Sequence, residues 1–371
     1  MSTVPHTPQG QQSIAVAAPT RTNTVIMGQQ GFIRVLLRLI GVEMYKIRRR
    51  VLSKALSIIG LSVMIAAFLV LSINAFVALN TPLQGYELPQ CSALQKAQGK
   101  PIATPSSGQT CSDHPPTQQE LAEAQKFKQL EIFDNFAPLR LPYSVFNAIS
   151  VIMIVGTILL IILVGTIVGG EYSGGTVRLV LTRGPTRTQF LLSKIGALLI
   201  CVVLGFVMML LTGLVVGVLL TLPSGIATPL DFLQHGGWVH VLLYPLVALF
   251  GLFVCTMLAL FLATLGRATV AGVAGALVWF VLESVLSGVL NLLHPGPVAN
   301  FLKAIPDYFI SNNISILLHS QTNYFITVDP YFMVNPPSAV SILHALFVLI
   351  GYLTVFIALS LWVSIRRDIT N

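Results

Sequence analysis

The sequence predicts an all-α integral membrane protein with six transmembrane helices, on three observations. Of 371 residues, 54 % are hydrophobic and 9 % charged, whereas a globular protein carries roughly 25 % charged residues. So few charges cannot clothe a water-soluble surface, and the mean hydropathy of +0.82 agrees. Six segments each supply the ~20 apolar residues that a helix needs to cross a bilayer. The Lys and Arg residues, finally, alternate between loops as six spans require. A net charge of +8 on a soluble domain would point to nucleic acid. Here it is read as membrane orientation, because basic residues collect on the cytoplasmic side of short loops, and no nucleic-acid partner is expected.

Residues 1–28 are rich in Ser, Thr, Pro and Gln without apolar periodicity and read as a disordered tail. No cleavable signal peptide is read, since the first long apolar run starts after residue 50 and is too long for one. Residues 29–50 read as an amphipathic helix lying in the membrane interface. Ile33, Leu36, Ile40, Met44 and Ile47 recur at helical spacing, with Arg34, Arg38, Lys46 and Arg48 on other faces. Residues 51–371 form the six-span domain, with spans at about 55–79, 146–170, 195–222, 239–265, 268–293 and 339–365. The spans lack strand-like alternation, so they are helices rather than barrel strands.

Fifteen of the 21 Lys and Arg residues fall on one side of this topology. Eight precede span one, from Arg21 to Lys54. Arg178, Arg183, Arg187 and Lys194 follow span two, Arg267 separates spans four and five, and Arg366 and Arg367 follow span six. The other side holds Lys96, Lys100, Lys126, Lys128, Arg140 and Lys303, with nine of the thirteen acids. Both termini are therefore expected in the cytoplasm. The external loop at 80–145 carries Cys91 and Cys111, for which a disulfide in an oxidising compartment is the favoured reading. Thr117 and Glu120 have capping-box spacing ahead of a short helix through Phe133. The external segment at 294–338 carries a partly apolar helix near 301–318, too broken by Pro306 and Asn312–Asn313 to span.

Catalytic, cofactor and metal motifs are not found. No phosphate-binding Gly-rich loop with Lys-Ser/Thr occurs, nor His-Glu-x-x-His or Gly-x-Ser-x-Gly. The seven histidines lack metal spacing, and Cys201 and Cys255 read as small packing residues within spans three and four. Any energy source for transport must come from elsewhere. Gly165-x-x-x-Gly169 and Gly213-x-x-x-Gly217 predict close helix contacts. Glu283 is the one acid inside a span. It shares a helical face with Trp279, Ser287 and Leu290, and it either fastens helices or, with Ser287, marks a polar point on a transport path or dimer seam.

After span two the chain reads Gly169-Gly-Glu171-Tyr-Ser-Gly-Gly175-Thr176-Val-Arg178-Leu-Val-Leu-Thr-Arg183-Gly-Pro185-Thr-Arg187, reaching Lys194. This corner resembles that of type-2 ABC transporter permeases, the exporter-class membrane subunits. That family shows a Glu followed by Gly-Thr, a short apolar stretch, a Pro near an Arg, and a Lys entering span three. Glu43-Met-Tyr-Lys46-Ile-Arg-Arg-Arg50 looks like the family's opening, and six spans with an interfacial helix match as well, over about residues 30–370. The resemblance implies a multi-pass permease subunit in a prokaryotic plasma membrane. It implies a second permease copy or homologue and separate cytoplasmic ATPase subunits that bind ATP and Mg. Glu171, Gly175, Thr176, Arg178, Arg183, Pro185 and Arg187 would couple the two kinds of subunit.

The residues support such a corner unaided. Ser173-Gly174-Gly175 permits a sharp turn, Thr176–Leu181 can form a short helix along the membrane, and Thr186 with Gln189 has capping-box spacing for span three. Taken with the resemblance, Glu171 is expected to fix the turn through local hydrogen bonds, and Arg183 and Arg187 to meet acidic or carbonyl groups of the ATPase that the resemblance implies. The bland alternative is a solvated basic turn near anionic lipid. The rival function is a secondary transporter or channel, for which only Glu283 and Pro245 speak; a membrane enzyme comes third, without a motif.

Overall fold

The structure, a computed structural model, describes residues 31–81, 118–182, 185–225, 237–292, 301–322 and 340–366. Among these residues every regular element is helical. Helix α1 spans Phe32–Arg49 and α2 Val51–Asn80. Gln118–Phe136 forms α3. Tyr143–Ser173 is one long helix, α4, with π-helical turns at Ile152–Gly156 and Gly165–Gly169. Then follow α5 (Thr176–Leu181), α6 (Arg187–Thr221), α7 (Gly237–Gly266), α8 (Thr269–Asn291), α9 (Ile310–Thr322) and α10 (Ile342–Arg366). Six of them, α2, α4, α6, α7, α8 and α10, are long and apolar enough to cross a membrane, each coinciding with a predicted span. Cys91, Cys111, Thr117, Arg183 and Arg367 lie outside the described residues, as do the side chains of Glu120 and Arg178.

Helix α7 is the most buried of the six. It stays continuous through Pro245 and packs against α4, α8, α9 and α10. Aromatic pairs key it to its neighbours: Tyr244 stacks on Phe146 of α4 at 5.9 Å, and Phe261 on Phe356 of α10 at 5.7 Å. Only Arg267 and Ala268 separate α7 from α8, and Arg267 adopts a positive φ of 50°, rare for a residue with a Cβ. This tight turn lies against α4. A Cβ on Gly169 would sit 2.6 Å from the main-chain carbon and oxygen of Ala268 and from Cα of Thr269, so α4 and α8 touch backbone to backbone. Both Gly-x-x-x-Gly repeats occupy such contacts, since a Cβ on Gly213 or Gly217 would lie within 3 Å of Ala148 Cβ or Leu139 O respectively.

At the other end of the bundle the segment 301–322 departs from a simple loop. Residues Ile305–Tyr308 make a 3-10 turn, and the amides of Asn312 and Asn313 donate to the Pro306 and Asp307 carbonyls at 3.0 and 2.8 Å. The two Asn that make a spanning helix implausible thus build the turn ahead of α9. Helix α9 then packs on α7 and α10 with Ile310, Asn313, Ile314, Leu317 and Leu318 buried. Its first residue meets Glu283, eight residues before the end of α8 and so about 12 Å inside it. Its last turn returns to the start of α7, where Gln321 meets His240 at 2.8 Å. It is a half-helix packed among the spans.

Candidate functional site

The predicted corner lies over a buried ion network. Gly174 and Gly175 close the end of α4 by donating to the Gly170 and Tyr172 carbonyls, and Gly175 has a φ of 67°, the left-handed conformation that glycine adopts without strain. The Thr176 hydroxyl donates to the Glu171 carbonyl at 3.2 Å, which starts α5 immediately after the turn. Pro185 is half-buried, and Thr186 and Gln189 form a complete capping box, each side chain accepting from the other's backbone N–H. Four N-terminal donors of any helix need partners, and here two are supplied reciprocally at the mouth of α6.

The Glu171 side chain departs from expectation. Among the described residues its carboxylate accepts no hydrogen bond from the turn; it points inward and is buried. Oε2 lies 2.7 Å from Lys194 Nζ as an ion contact, and Oε1 lies 3.5 Å from Lys46 and 3.9 Å from Arg50. Glu43, also buried, completes the set: Oε2 accepts from Lys194 Nζ at 3.1 Å and Oε1 from Lys46 Nζ at 2.7 Å. Lys194, 2 % exposed, is thus shared by two carboxylates from different helices, and its ammonium also stands 4.8 Å from the Phe190 ring. Arg50 Nη1 donates to the Thr166 carbonyl at 3.4 Å, inside the second π-helical turn, where the backbone ladder is already displaced. Five charged residues therefore tie α1, the α1–α2 junction, α4 and α6 together at the end of α4 that leads into α5.

Sequence reasoning placed Glu43, Lys46, Arg50 and Lys194 within motifs without pairing them. The usable signal is that Glu43 lies on the stripe of Ile40, Met44 and Ile47, the stripe that α1 lays on α6. A Cβ on Gly196 would come within 2.7 Å of Ile40, so α1 lies close upon α6. Arg187 Nη1 donates to the Ile365 carbonyl at 2.8 Å and ties the start of α6 to the last turn of α10. Cations at a helix C-terminus are favoured by the dipole.

The network predicts a pH window for α1 docking. Burial opposes the charge on Glu43, but Lys194 and Lys46 outweigh it and hold the carboxyl below its ordinary value of 4.5. Burial likewise opposes the charge on Lys46, and Glu43 with Glu171 outweighs it and lifts the ammonium above 10.5. A lowered acid stabilises the fold above its unfolded value and loses that contribution as pH falls through the folded one; a raised base does the reverse. Docking should thus be strongest between about 4.5 and 10.5 and weaken outside. Trypsin accessibility of Arg48-Arg49-Arg50 measured against pH tests this, and Glu43→Gln should remove the acid limb. An acid limb unchanged in that variant would refute the assignment.

Glu283 forms a second polar centre. Trp279 Nε1 and the Ile310 N–H donate to Oε1 at 2.8 and 2.9 Å, and the Ser311 N–H and hydroxyl to Oε2 at 3.0 and 2.6 Å. The carboxylate acts purely as an acceptor and caps α9 from a neighbouring span. These bonds fasten α9 to α8; Ser287, with which Glu283 would mark a polar point on a path or seam, is half-exposed on the same helix. Cys255 is buried, and Cys201 packs with its sulfur 3.7 Å from that of Met44. Among the described residues no cluster of His, Cys, Asp and Glu is arranged to hold a metal ion.

Residues 133–370 match a family described as "Protein of unknown function (DUF2705)". The match covers more than half of the chain. The chain belongs to the DUF2705 family. No curated protein and no solved structure matches it. The DUF2705 match begins within α3 and takes in Glu171, Lys194, Glu283 and the corner, whereas Glu43, Lys46 and Arg50 lie ahead of it. The ion network of this DUF2705 protein thus joins the matched region to the helix that precedes it.

Proposed function

We propose that this chain is the membrane-spanning permease subunit of an ATP-driven transporter of the type-2 ABC class, working as an exporter. The observation that carries the reading is the ion network: a short helix follows the end of α4 where buried charges bind three helices into one unit, as a part that passes on force requires. In this reading α5 docks on a separate ATPase subunit, which holds ATP and Mg, while this chain catalyses nothing itself. Glu171 acts from inside, fixing α4 to α6 and α1, and Arg178 and Arg183 are the corner cations offered to the partner. Two permease copies form the pathway. The resemblance of the corner and of the Glu43–Arg50 segment to the family, and the lack of a nucleotide motif in the sequence, support the same assignment.

The basic end of the bundle then faces the cytoplasm of a prokaryote, with α1 in the interface of the plasma membrane. Single cysteines at positions 183 and 267 should be labelled only after permeabilisation, and those at 100 and 303 in sealed cells; outside labelling at 183 would overturn the orientation. The function itself is tested by co-purification. An ATPase should accompany the wild-type chain, Arg183→Ala should weaken that association, and Glu171→Ala should leave it but uncouple ATP hydrolysis from transport. At a desolvated interface a lost charge pair costs about 2–5 kcal/mol, roughly 30-fold or more in affinity. If no ATPase accompanies the chain and transport follows an ion gradient, it is a secondary transporter, a reading that the half-helix α9 favours, since interrupted helices at membrane depth line such sites.

A further inference from the structure

Beside Glu283 a groove of about 750 Å³ opens between α4, α8 and α9, with Cys255 of α7 at its floor. Thr157 and Ile158 line it from α4, Phe280 and Ser284 from α8, and Ser311 and Ser315 from α9. Its size falls within the range of small-molecule sites, and its walls combine an apolar body with a few hydroxyls, as such sites do. The groove lies at the level of the π-helical turn Ile152–Gly156, whose Met153 and Ile154 also line it. Ile154 and Val281 at its rim are exposed, so it opens sideways, towards what would be hydrocarbon in a membrane.

The polar end of the groove has a sign. Ser311 lines the wall and donates its hydroxyl to Glu283 Oε2, so a carboxylate stands one side chain behind the surface. All four of its partners donate, and none is a charged side chain. Among the described residues no Lys or Arg pairs with Glu283. An ionised group at membrane depth is costly and ordinarily finds a countercharge, and with low dielectric around it its field extends far. The four donors, two of them backbone N–H groups at the start of α9, meet part of that charge; a phospholipid tail would fill the apolar length and add no cation.

We propose that the groove is a binding site for a monocationic amphiphile that enters from the bilayer, its apolar body along Ile158 and Phe280 and its cationic centre at the Ser284–Ser311 end. This goes beyond the ATP-driven reading and does not depend on it. The test uses the purified full chain alone in phosphatidylcholine nanodiscs, so a missing ATPase leaves the result intact. The probes are tetraphenylphosphonium and tetraphenylborate, ions of one shape and opposite charge, with protein-free discs subtracted. The expected result is saturable binding with the phosphonium bound about tenfold or more tightly than the borate, equivalent to about 1.4 kcal/mol. Ser315→Phe and Val281→Phe, which fill the groove but keep Glu283 and its cap, should abolish it, with unchanged thermal melting to show that they fold. Equal binding of the two ions would overturn the proposal, as would phosphonium binding that survives in the filled variants. A Val281→Cys chain that cross-links to a second copy and binds neither ion would show instead that a protein partner closes the groove.

Discussion

Replacing Lys194 by alanine is expected to detach α1 from the bundle and to cause one of the two largest losses of stability of any single change considered. Lys194 is the only fully buried cation of the network and touches both carboxylates, at 2.7 and 3.1 Å. Without it, Glu43 and Glu171 face each other across a site that water barely reaches, and among the described residues the half-exposed Lys46 and Arg50 are left to answer them. Removing one partner of a buried ion pair costs about 3–5 kcal/mol, because the remaining charge is left uncompensated. The readouts are thermal unfolding in detergent and trypsin cleavage after Arg48–Arg50, which should become rapid. A triple change, Glu43→Leu with Glu171→Leu and Lys194→Met, removes the charges together and should recover most of the stability, since apolar replacements of whole buried networks are often neutral. If Lys194→Ala melts and resists trypsin like the wild type, the network does not hold α1. If the triple variant is stable but uncoupled in transport, the charges serve function rather than folding.

Gly169→Ala is the second such change, through a different mechanism. The added methyl would overlap the main chain of Ala268 and Thr269, each atom 2.6 Å away, and main chain cannot swing aside as a side chain can. Overpacking costs about 1–3 kcal/mol where side chains absorb it, and here α4 and the α7–α8 turn must part. Ala268→Gly in the same chain should give no rescue, because the clashing atoms are backbone; a rescue would refute the geometry. Gly205→Ala is the control. Nothing lies within 4 Å of that position, and replacing a helical Gly by Ala should stabilise by about 0.5–1 kcal/mol.

The six spans could be read from composition because lipid imposes one rule on every residue of a span, and continuous apolar runs such as 195–222 obey it without reference to anything distant. The capping box of Thr186 and Gln189 was legible for a similar reason, being settled within four residues. The ion network was not. Its partners are far apart in the chain, and a Lys after an apolar corner is written identically whether it faces water or, like Lys194, a carboxylate from α1. Counting Lys194 and Arg187 among the loop cations is silent about contact. Glu283 stood out as an acid in a span sharing a face with Trp279, yet the other three of its four donors come from the start of α9, which sequence reasoning had placed in an external segment. Pro306 and the two Asn marked an interruption there correctly; that the chain resumes as a half-helix among the spans depends on packing against Gly251 and Glu283, which no local pattern encodes.

The pairing of Glu43 with Lys194 also sets a timetable for biosynthesis. The two residues are 151 positions apart, and chains are made at roughly 5–20 residues per second, so Glu43 emerges roughly 8–30 s before its partner. In that interval its one neighbouring cation is Lys46, one helical turn along, and α1 has neither Gly196 to rest on nor α6 to cover its apolar stripe. The first of the described helices to be made is therefore seated only after α6 has followed it. Its locking depends on the third span having been inserted, and a nascent chain arrested before residue 194 should carry α1 loose on the membrane surface, open to protease, until translation resumes.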